Sequence, residues 1–211
     1  MFLHELSEKQ FMLREVYKVS CYEYQFEGHE LDQIQKEMLT ALDDLKKKDK
    51  FKQREGWNSH HLSDPTFSEN LLEQYDFSNF IKYIELHVRN YMFHYTYRAD
   101  QTIEINSSWM TMTKNKEYGH AHTHGQQHIS GCYYVQTNGE DGDFYMQSPI
   151  PQLGMHGWTQ SLSRNANVKP CVGKLLLFPS WLPHGVGTNT TDSERVSLSF
   201  NITLRNPEQN A

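Results

Sequence analysis

The sequence is poor in cysteine, with only three residues of this type among 211. They are Cys21, Cys132 and Cys171, an odd number spread along the chain. A disulfide framework needs paired cysteines at regular spacing, so this class of small secreted scaffold is excluded. The first fifteen residues carry acidic groups and contain no apolar stretch typical of a signal peptide. These features predict a protein of a reducing, cytoplasmic compartment.

Long apolar runs and an excess of positive charge are also lacking. No stretch of about 18 apolar residues occurs, so the sequence predicts no membrane-spanning helix. Lys and Arg together number 20, whereas Asp and Glu number 26, which gives a formal net charge of −6. An acidic chain has no general electrostatic attraction for nucleic acid or for an anionic membrane. We therefore expect no membrane partner and no general nucleic-acid binding, while the main substrate stays open among protein, nucleic acid and metabolite.

Aromatic residues and histidine are plentiful instead. Aromatic residues make up 13% of the chain, against a total apolar fraction of only 37%. Each large ring buries a large area, so these residues can supply a core, and the length fits one domain over residues 1–211. Four of the 12 histidines lie between His120 and His128. This cluster is the first candidate for a functional site.

The amino-terminal half has the periodicity of amphipathic helices. Apolar residues at helical spacing predict one helix over Leu31–Lys48 and a second over Ser78–Tyr95, with Ser78 as its cap. The intervening stretch Gly56–His61 is predicted as a loop. Residues 1–100 are therefore expected to form a mainly helical support region.

The pattern changes after Asp100 to short β-rich segments separated by Gly, Pro, Asn and Asp. Several short strands with turn signals between them predict an antiparallel barrel or jelly roll over residues 101–205. The expected fold class is α+β, with the helices packed on this barrel. The predicted strands are Thr102–Thr113, Ile129–Gln136, Asp143–Met146, Lys174–Phe178 and Arg195–Leu204.

The histidine cluster has the spacing of a metal site. In an extended strand, side chains two residues apart share a face, so His120, His122 and His124 are expected to point the same way. Two such imidazoles can hold one metal ion, and His184, beyond the strand Leu175–Phe178, can supply a third ligand. The spacing leaves open whether His120 takes the place of His122. It also leaves open a set of surface histidines without a metal, and gives His128 no defined role.

The strand Arg195–Ile202 alternates strictly between polar and apolar residues. Its polar face either meets water or lines the interior of the barrel. In the second case Arg195 offers a two-pronged contact to a carboxylate, with the Ser197 hydroxyl adding a hydrogen bond. Tyr134 reaches the same anion if residues 130, 132 and 134 share a face with His122; otherwise it is a core tyrosine.

These motifs, in this order, resemble the 2-oxoglutarate/Fe(II)-dependent oxygenases. The similarity is closest to a subgroup found in bacteria and in marine tailed phages, and it covers roughly residues 55–204. It rests on Trp57-x-Ser59, His122-x-His124, Ser130-Gly131-x-Tyr133-Tyr134, Gly173-x-Leu175-x-x-Phe178-Pro179 with His184, and Arg195-x-Ser197.

The resemblance implies a double-stranded β-helix, that is, a jelly-roll barrel, with Fe(II) and 2-oxoglutarate as cofactors. It implies His122 and His184 as iron ligands, and Arg195, Ser197 and Tyr134 as the seat of the distal carboxylate of 2-oxoglutarate. The implied activity is a hydroxylase-type oxidation that consumes O₂ and releases succinate and CO₂. The implied location is the cytoplasm of a bacterial or phage-infected cell.

One position departs from the family pattern, because His124 stands where these oxygenases usually have a carboxylate. Three neutral imidazoles leave Fe(II) with charge +2, whereas two imidazoles and a carboxylate leave +1. A nearby acid, Asp143 or Glu117, could supply the missing charge instead of His124. An all-histidine site is expected to lose its metal below about pH 6, near the pKa of free imidazole.

Two other functions are compatible with this sequence. A cupin-like metalloprotein with three histidines would act without 2-oxoglutarate, and Arg195 would then be structural. A catalytically inactive barrel would serve in binding or assembly, for example in a phage particle. In any of these cases the mouth of the barrel could be bordered by Trp109, Trp158, Trp181 and the segment Pro149–Asn167.

Overall fold

The computed structural model describes residues 19–53, 58–62, 70–96, 100–155, 157 and 164–206. Within these ranges the helices are α1 (Gly28–Lys47) and α2 (Ser78–Thr96), with short 3-10 turns at Leu71–Glu73 and Pro151–Met155. The strands are β1 (Tyr22–Gln25), β2 (Phe51–Gln53), β3 (His60–Leu62), β4 (Thr102–Thr113), β5 (Gly119–His122), β6 (Ile129–Gln136), β7 (Phe144–Met146), β8 (Ala166–Val168), β9 (Lys174–Pro179), β10 (His184–Val186) and β11 (Arg195–Arg205).

The strands form two antiparallel sheets. The larger has the order β1-β9-β6-β11-β4-β3-β2, and the smaller has the order β5-β10-β7-β8. Two antiparallel sheets that pack face to face are the architecture of a jelly roll, as the strand pattern predicted. All five strands predicted after residue 100 are confirmed to within one residue at each end. Neither helix in the described ranges combines the length and the apolar character needed to cross a membrane.

The amino-terminal region contributes strands to the large sheet as well as helices. β1 pairs with β9 at one edge, and β2 and β3 extend the opposite edge beyond β4. The prediction of a loop over Gly56–His61 is therefore wrong for its last two residues, which lie in β3. These strands have only three or four residues each, too few for alternation to be visible in the sequence.

One face of the large sheet shares a hydrophobic core with the two helices. The apolar residues of β11 on this face, Val196 to Ile202, are fully buried together with Ile34 and Met38 of α1. The ring of Phe80 on α2 lies 5.3 Å from that of Tyr133 and 5.9 Å from that of Phe200, centroid to centroid. Burial of each such side chain contributes about 1.5–3 kcal/mol.

The start of α2 is held by acidic side chains. Ser78 is the first helical residue rather than the cap, so that prediction is wrong, and its N–H donates to the Asp76 carboxylate at 3.2 Å. The Glu37 carboxylate of α1 accepts the N–H groups of Asn79 at 2.9 Å and Phe80 at 3.0 Å. Because the first turn of a helix has unpaired N–H donors, a carboxylate from the neighbouring helix stabilises it and fixes the two helices together.

The opposite face of the large sheet packs against the small sheet. Cys132, Tyr134, Leu176 and Phe178 meet apolar residues of β7 and β8 in a second core. The polar residues of β11 lie on this inner face, where Arg195, Ser197 and Asn201 are 2%, 4% and 3% exposed. Of the two interpretations of this strand, the one that places its polar face inside the barrel is confirmed.

Gly131 shows why the β6 motif contains a glycine. It lies opposite Phe200 in the pairing of β6 with β11, and the Phe200 ring covers its Cα so closely that a Cβ would overlap the ring. Glycine in a strand often marks such a close approach of neighbouring groups.

Gly131→Ala is therefore expected to lower the free energy of unfolding by about 1–3 kcal/mol, the usual cost of overpacking. Urea denaturation followed by circular dichroism measures this change. Gly125→Ala is the matched control, because a Cβ there meets no described atom within 4 Å. Its expected effect is below about 0.5 kcal/mol. Equal stability of Gly131→Ala and wild type would contradict the assigned packing.

Candidate metal centre and anion site

Three histidines come together between the two sheets. The possible ligand atoms of His122, His124 and His184 all lie within 4.8 Å of one another. The ring centroids are 4.4 Å apart for His122 and His184, 5.0 Å for His122 and His124, and 5.2 Å for His124 and His184. A cluster this tight has the ligand set that suits a divalent transition metal.

The small sheet positions two of these side chains. His122 ends β5 and His184 begins β10, and the two residues are direct partners in the antiparallel pairing. Gly185 makes the close approach possible, because a Cβ there would lie 2.5 Å from the Tyr145 hydroxyl and 2.8 Å from the Gly119 carbonyl oxygen.

His124 belongs to the turn after β5 rather than to the strand. Its backbone N–H donates to the Ser180 carbonyl oxygen at 2.8 Å, which ties this turn to the one before β10. Of the three side chains predicted to point the same way, His122 and His124 do come together, although His124 lies just beyond the strand, whereas His120 is exposed and outside the group. The condition that residues 130, 132 and 134 share a strand face with His122 is also not met, because β5 and β6 belong to different sheets.

Backbone carbonyls orient two of the imidazoles. The Nδ1 atom of His122 lies 2.8 Å from the His120 carbonyl oxygen, and that of His184 lies 2.8 Å from the Leu182 carbonyl oxygen. A carbonyl oxygen only accepts, so each Nδ1 carries the proton and donates it. The lone pair is then on Nε2, the atom left for a metal.

Burial keeps the three imidazoles neutral. Burial, together with repulsion from the neighbouring cluster histidines, lowers the pKa of His124 to about 4 and that of His184 to about 3. Burial also lowers the pKa of His122, with a smaller contribution from His120. Neutral imidazole is the form that binds metals. The expected loss of metal near pH 6 is thereby shifted to lower pH, because it assumed the pKa of free imidazole.

The other sequence candidates lie outside this cluster. The His120 side chain is exposed, with its ring 4.8 Å from that of Tyr118. His128 is exposed, and its Nδ1 accepts the N–H of Leu204 at 3.1 Å. Among the described residues neither Asp143 nor Glu117 joins the group, and the Glu117 carboxylate instead accepts the N–H of Lys114 at 2.8 Å.

Arg195 is a buried cation on the same inner surface. Its Nη1 donates to the Gly142 carbonyl oxygen at 2.9 Å and its Nη2 to the Thr113 hydroxyl at 3.3 Å. Its Nε finds no acceptor among the described residues, and no carboxylate of these residues forms an ion pair with it. A buried charge without a counter-ion is costly, so this guanidinium is suited to an anion.

Two hydroxyls accompany this guanidinium. The buried Tyr134 hydroxyl also lacks a partner in the described chain, and Ser197 pairs with Tyr134 across β11 and β6. Burial raises the pKa of Tyr134 well above its usual value, so the phenol stays a neutral donor. Burial raises the thiol pKa of Cys132 to about 11, and Arg195 and a hydrogen bond from Ser197 oppose this shift. The unpaired donors fit the oxygens of a carboxylate.

Sequence reasoning missed the polar network behind His124. Asn201, Ser107, Ser130 and Ser180 are buried and joined by hydrogen bonds. Only the position of Asn201 on the polar face of β11 hinted at it, because the serines come from three other segments of the chain.

Two of the tryptophans predicted at the mouth lie in the described ranges. Trp109 is partly buried, with its ring 5.8 Å from that of His124, and Trp181 is 51% exposed. Trp158 lies outside the described residues, as do Trp57 of the upstream motif and the other residues of 158–163.

A family model described as "Putative 2OG-Fe(II) oxygenase" matches residues 107–201. The match begins in β4 and ends in β11, so it contains all three histidines together with Tyr134 and Arg195. The chain is an oxygenase of the 2-oxoglutarate/Fe(II) type. Its cofactors are accordingly Fe(II) and 2-oxoglutarate. Among curated proteins, none matches the sequence.

Solved structures share the fold of this oxygenase at low identity. A Pseudomonas putida prolyl-4-hydroxylase has 13% identity and a TM-score of 0.58, over 88% of this chain and 92% of that chain. The non-heme α-ketoglutarate dependent carbocyclase SnoK from nogalamycin biosynthesis has 9% identity and a TM-score of 0.62, over 89% of this chain and 80% of that chain. HygX from Streptomyces hygroscopicus, with nickel and 2-oxoglutarate bound, has 12% identity and a TM-score of 0.55, over 88% of this chain and 83% of that chain.

The lowered histidine pKa values make stability depend on pH. The unfolded chain takes up protons near pH 6.5, whereas folded His184 stays neutral to about pH 3, so acid favours unfolding. For each proton that the unfolded state binds and the folded state does not, the free energy of unfolding falls by about 1.4 kcal/mol per pH unit of acidification. We expect the metal-free enzyme to lose stability from pH 6.5 to 4, and His184→Asn to lose about 1 kcal/mol per pH unit less between pH 6 and 5.

Urea denaturation of the metal-free protein at several pH values, with a chelator present, measures these slopes. His29→Asn is the matched control, because His29 is exposed on α1 and the variant is expected to keep the wild-type slope. The same slope for His184→Asn and wild type would contradict the proposed neutral state of His184.

Proposed function

We propose that the enzyme carries out a hydroxylase-type oxidation of an organic substrate, coupled to conversion of 2-oxoglutarate into succinate and CO₂. The observation that carries this proposal is the pairing, on one interior surface, of a tight histidine cluster with a buried arginine that forms no ion pair with any described carboxylate. A metal cluster alone fits many proteins. The added anion site favours 2-oxoglutarate as the co-substrate.

His122, His124 and His184 are proposed to hold the iron. Two of them have the Nδ1–H donated to backbone carbonyls, so their Nε2 atoms are ready to ligate without reorganisation. Iron bound there supplies O₂ activation at the expense of 2-oxoglutarate. Three protein ligands would leave coordination positions for the co-substrates, and the half-buried His122 and His124 would leave the site accessible to them.

Arg195 is proposed to bind the distal carboxylate of 2-oxoglutarate, with Ser197 and Tyr134 as hydroxyl donors. The guanidinium already donates to Gly142 and Thr113, so it is fixed in place before the anion arrives. Its unpaired Nε and the unpaired Tyr134 hydroxyl gain acceptors on binding. A charge-assisted contact of this kind is among the stronger hydrogen bonds in proteins.

Trp109 is proposed to form part of the wall that meets the organic substrate, since its ring lies beside His124 and is only partly buried. The ordered motif set supports placing the enzyme in the subgroup of bacteria and marine tailed phages. The three free cysteines support a cytoplasmic location in a bacterial or phage-infected cell. The acidic net charge gives no support for general nucleic-acid binding.

Anaerobic titration of Fe(II) into the metal-free protein with 2-oxoglutarate present tests the proposal. We expect a weak visible charge-transfer band that needs both components, because 2-oxoglutarate chelates the iron. The band is expected to vanish in His184→Ala, which removes a ligand. His128→Ala, which changes an exposed histidine outside the cluster, is expected to keep it. Bound metal without the band would contradict the proposal and favour a three-histidine metalloprotein that does not use 2-oxoglutarate.

Arg195→Met tests the anion site. Loss of the guanidinium is expected to weaken 2-oxoglutarate binding by at least about 30-fold, the equivalent of about 2 kcal/mol. Stability without 2-oxoglutarate is expected to be unchanged or higher, since an unpaired buried charge is removed. Anaerobic calorimetry with Fe(II) measures the first effect and urea denaturation the second.

Arg205→Met is the matched control for this substitution. It changes an exposed arginine of the same strand, which pairs with Glu104 at 2.6 Å. We expect it to leave 2-oxoglutarate binding unchanged. Equal weakening in the two variants, or none in either, would refute the role of Arg195.

A further inference from the structure

His124 differs from the other two histidines in what faces its Nδ1 atom. His122 and His184 each have Nδ1 at 2.8 Å from the carbonyl oxygen two residues earlier. The Nδ1 of His124 lies instead 3.5 Å from the side-chain amide of Asn201. This contact joins the histidine that departs from the family pattern to the end of the polar face of β11.

Asn201 is part of a buried network of hydroxyls. Its Oδ1 accepts the Ser130 hydroxyl at 2.8 Å, and its Nδ2 donates to the Ser107 hydroxyl at 3.1 Å. The Ser130 hydroxyl also lies 2.8 Å from that of Ser180. Asn201, Ser130, Ser180 and Ser107 are 3%, 2%, 0% and 8% exposed, so these polar groups depend on one another for partners.

The network is compatible with both orientations of the Asn201 carboxamide, because a hydroxyl can donate or accept. With the amide turned end for end, its oxygen faces His124 and accepts the Ser107 hydroxyl. Its nitrogen then donates to Ser130, whose own proton goes to Ser180. Every group keeps a partner, and the His124 Nδ1 gains an acceptor where it otherwise faces a donor.

We infer that Asn201 is a positioning residue for His124: its carboxamide oxygen accepts the Nδ1–H and leaves the Nε2 lone pair for the metal. This inference rests on the proposed metal site. All three imidazoles then present the same tautomer, two through backbone carbonyls and the third through a side chain. Partners of this kind commonly orient metal-ligating histidines and raise their affinity for the metal.

The tautomer of His124 can be read in the metal-free protein by long-range proton–nitrogen correlation spectra of nitrogen-15-labelled histidine. We expect the proton on Nδ1 in wild type and in Asn201→Asp, which keeps an acceptor oxygen at the same place. A mixture of tautomers is expected in Asn201→Leu. A proton on Nε2 in wild type would overturn the inference, because Asn201 would then donate to His124.

Metal affinity supplies the second test, by titration of Co(II) followed through its visible absorption. Asn201→Leu is expected to weaken binding by about 10–100-fold, the usual effect of losing such a partner, while Asn201→Asp stays within about threefold of wild type. Ser107→Ala is the matched control, because it removes a hydrogen-bond partner of Asn201 and leaves the Asn201 carboxamide beside His124, so affinity is expected to stay within about threefold.

The outcomes separate this inference from the proposed function. Absence of metal binding in wild type would overturn both. Metal binding in wild type with equal affinity in Asn201→Leu would overturn only the role of Asn201. If Asn201→Leu does not fold, the wild-type tautomer and the affinity of Asn201→Asp decide, and a tenfold loss in Asn201→Asp would count against an acceptor role.

Discussion

The site depends on β11 being buried on both faces. Its apolar face lies against the helices and its polar face meets the small sheet, so Arg195, Ser197 and Asn201 are held away from water. A strand buried on one face only would leave these groups hydrated and able to move. The hydrophobic core on the helical side therefore supplies the free energy that keeps polar groups in the interior on the other side.

Burial of these polar groups also accounts for how they are organised. Asn201 is satisfied by hydroxyls, whereas the Nε of Arg195 and the hydroxyl of Tyr134 have no partner in the described chain. Unsatisfied buried groups are uncommon in folded proteins, and two of them on neighbouring strands point to a ligand that completes them. The proposed metal site is therefore pre-organised by hydrogen bonds, whereas the proposed anion site keeps unpaired donors among the described residues.

The sequence predicted the parts of this arrangement that local patterns encode. Alternation along β11 predicted that Arg195 and Ser197 share one face, and the structure buries both of them. Histidine spacing predicted that His122 and His124 lie close together, as they do. The capping of α2 by Glu37 and the contact of Asn201 with His124 join residues 42 and 77 positions apart in the chain. Such contacts exist only once the elements have packed. Periodicity and capping rules describe a single element, so they contain no information about these pairs.

Three histidines, in place of two histidines and a carboxylate, would change the charge of the proposed iron centre. If all three imidazoles hold the iron, the divalent ion would keep its full charge, and the dianion of 2-oxoglutarate would give a neutral complex instead of a singly negative one. Net charge is costly between two packed sheets, where the effective dielectric is low, so a neutral complex is better matched to this interior. The low pKa values of His124 and His184 have the same physical cause, because an interior that disfavours net charge also disfavours imidazolium. The imidazoles therefore stay neutral and available to a metal.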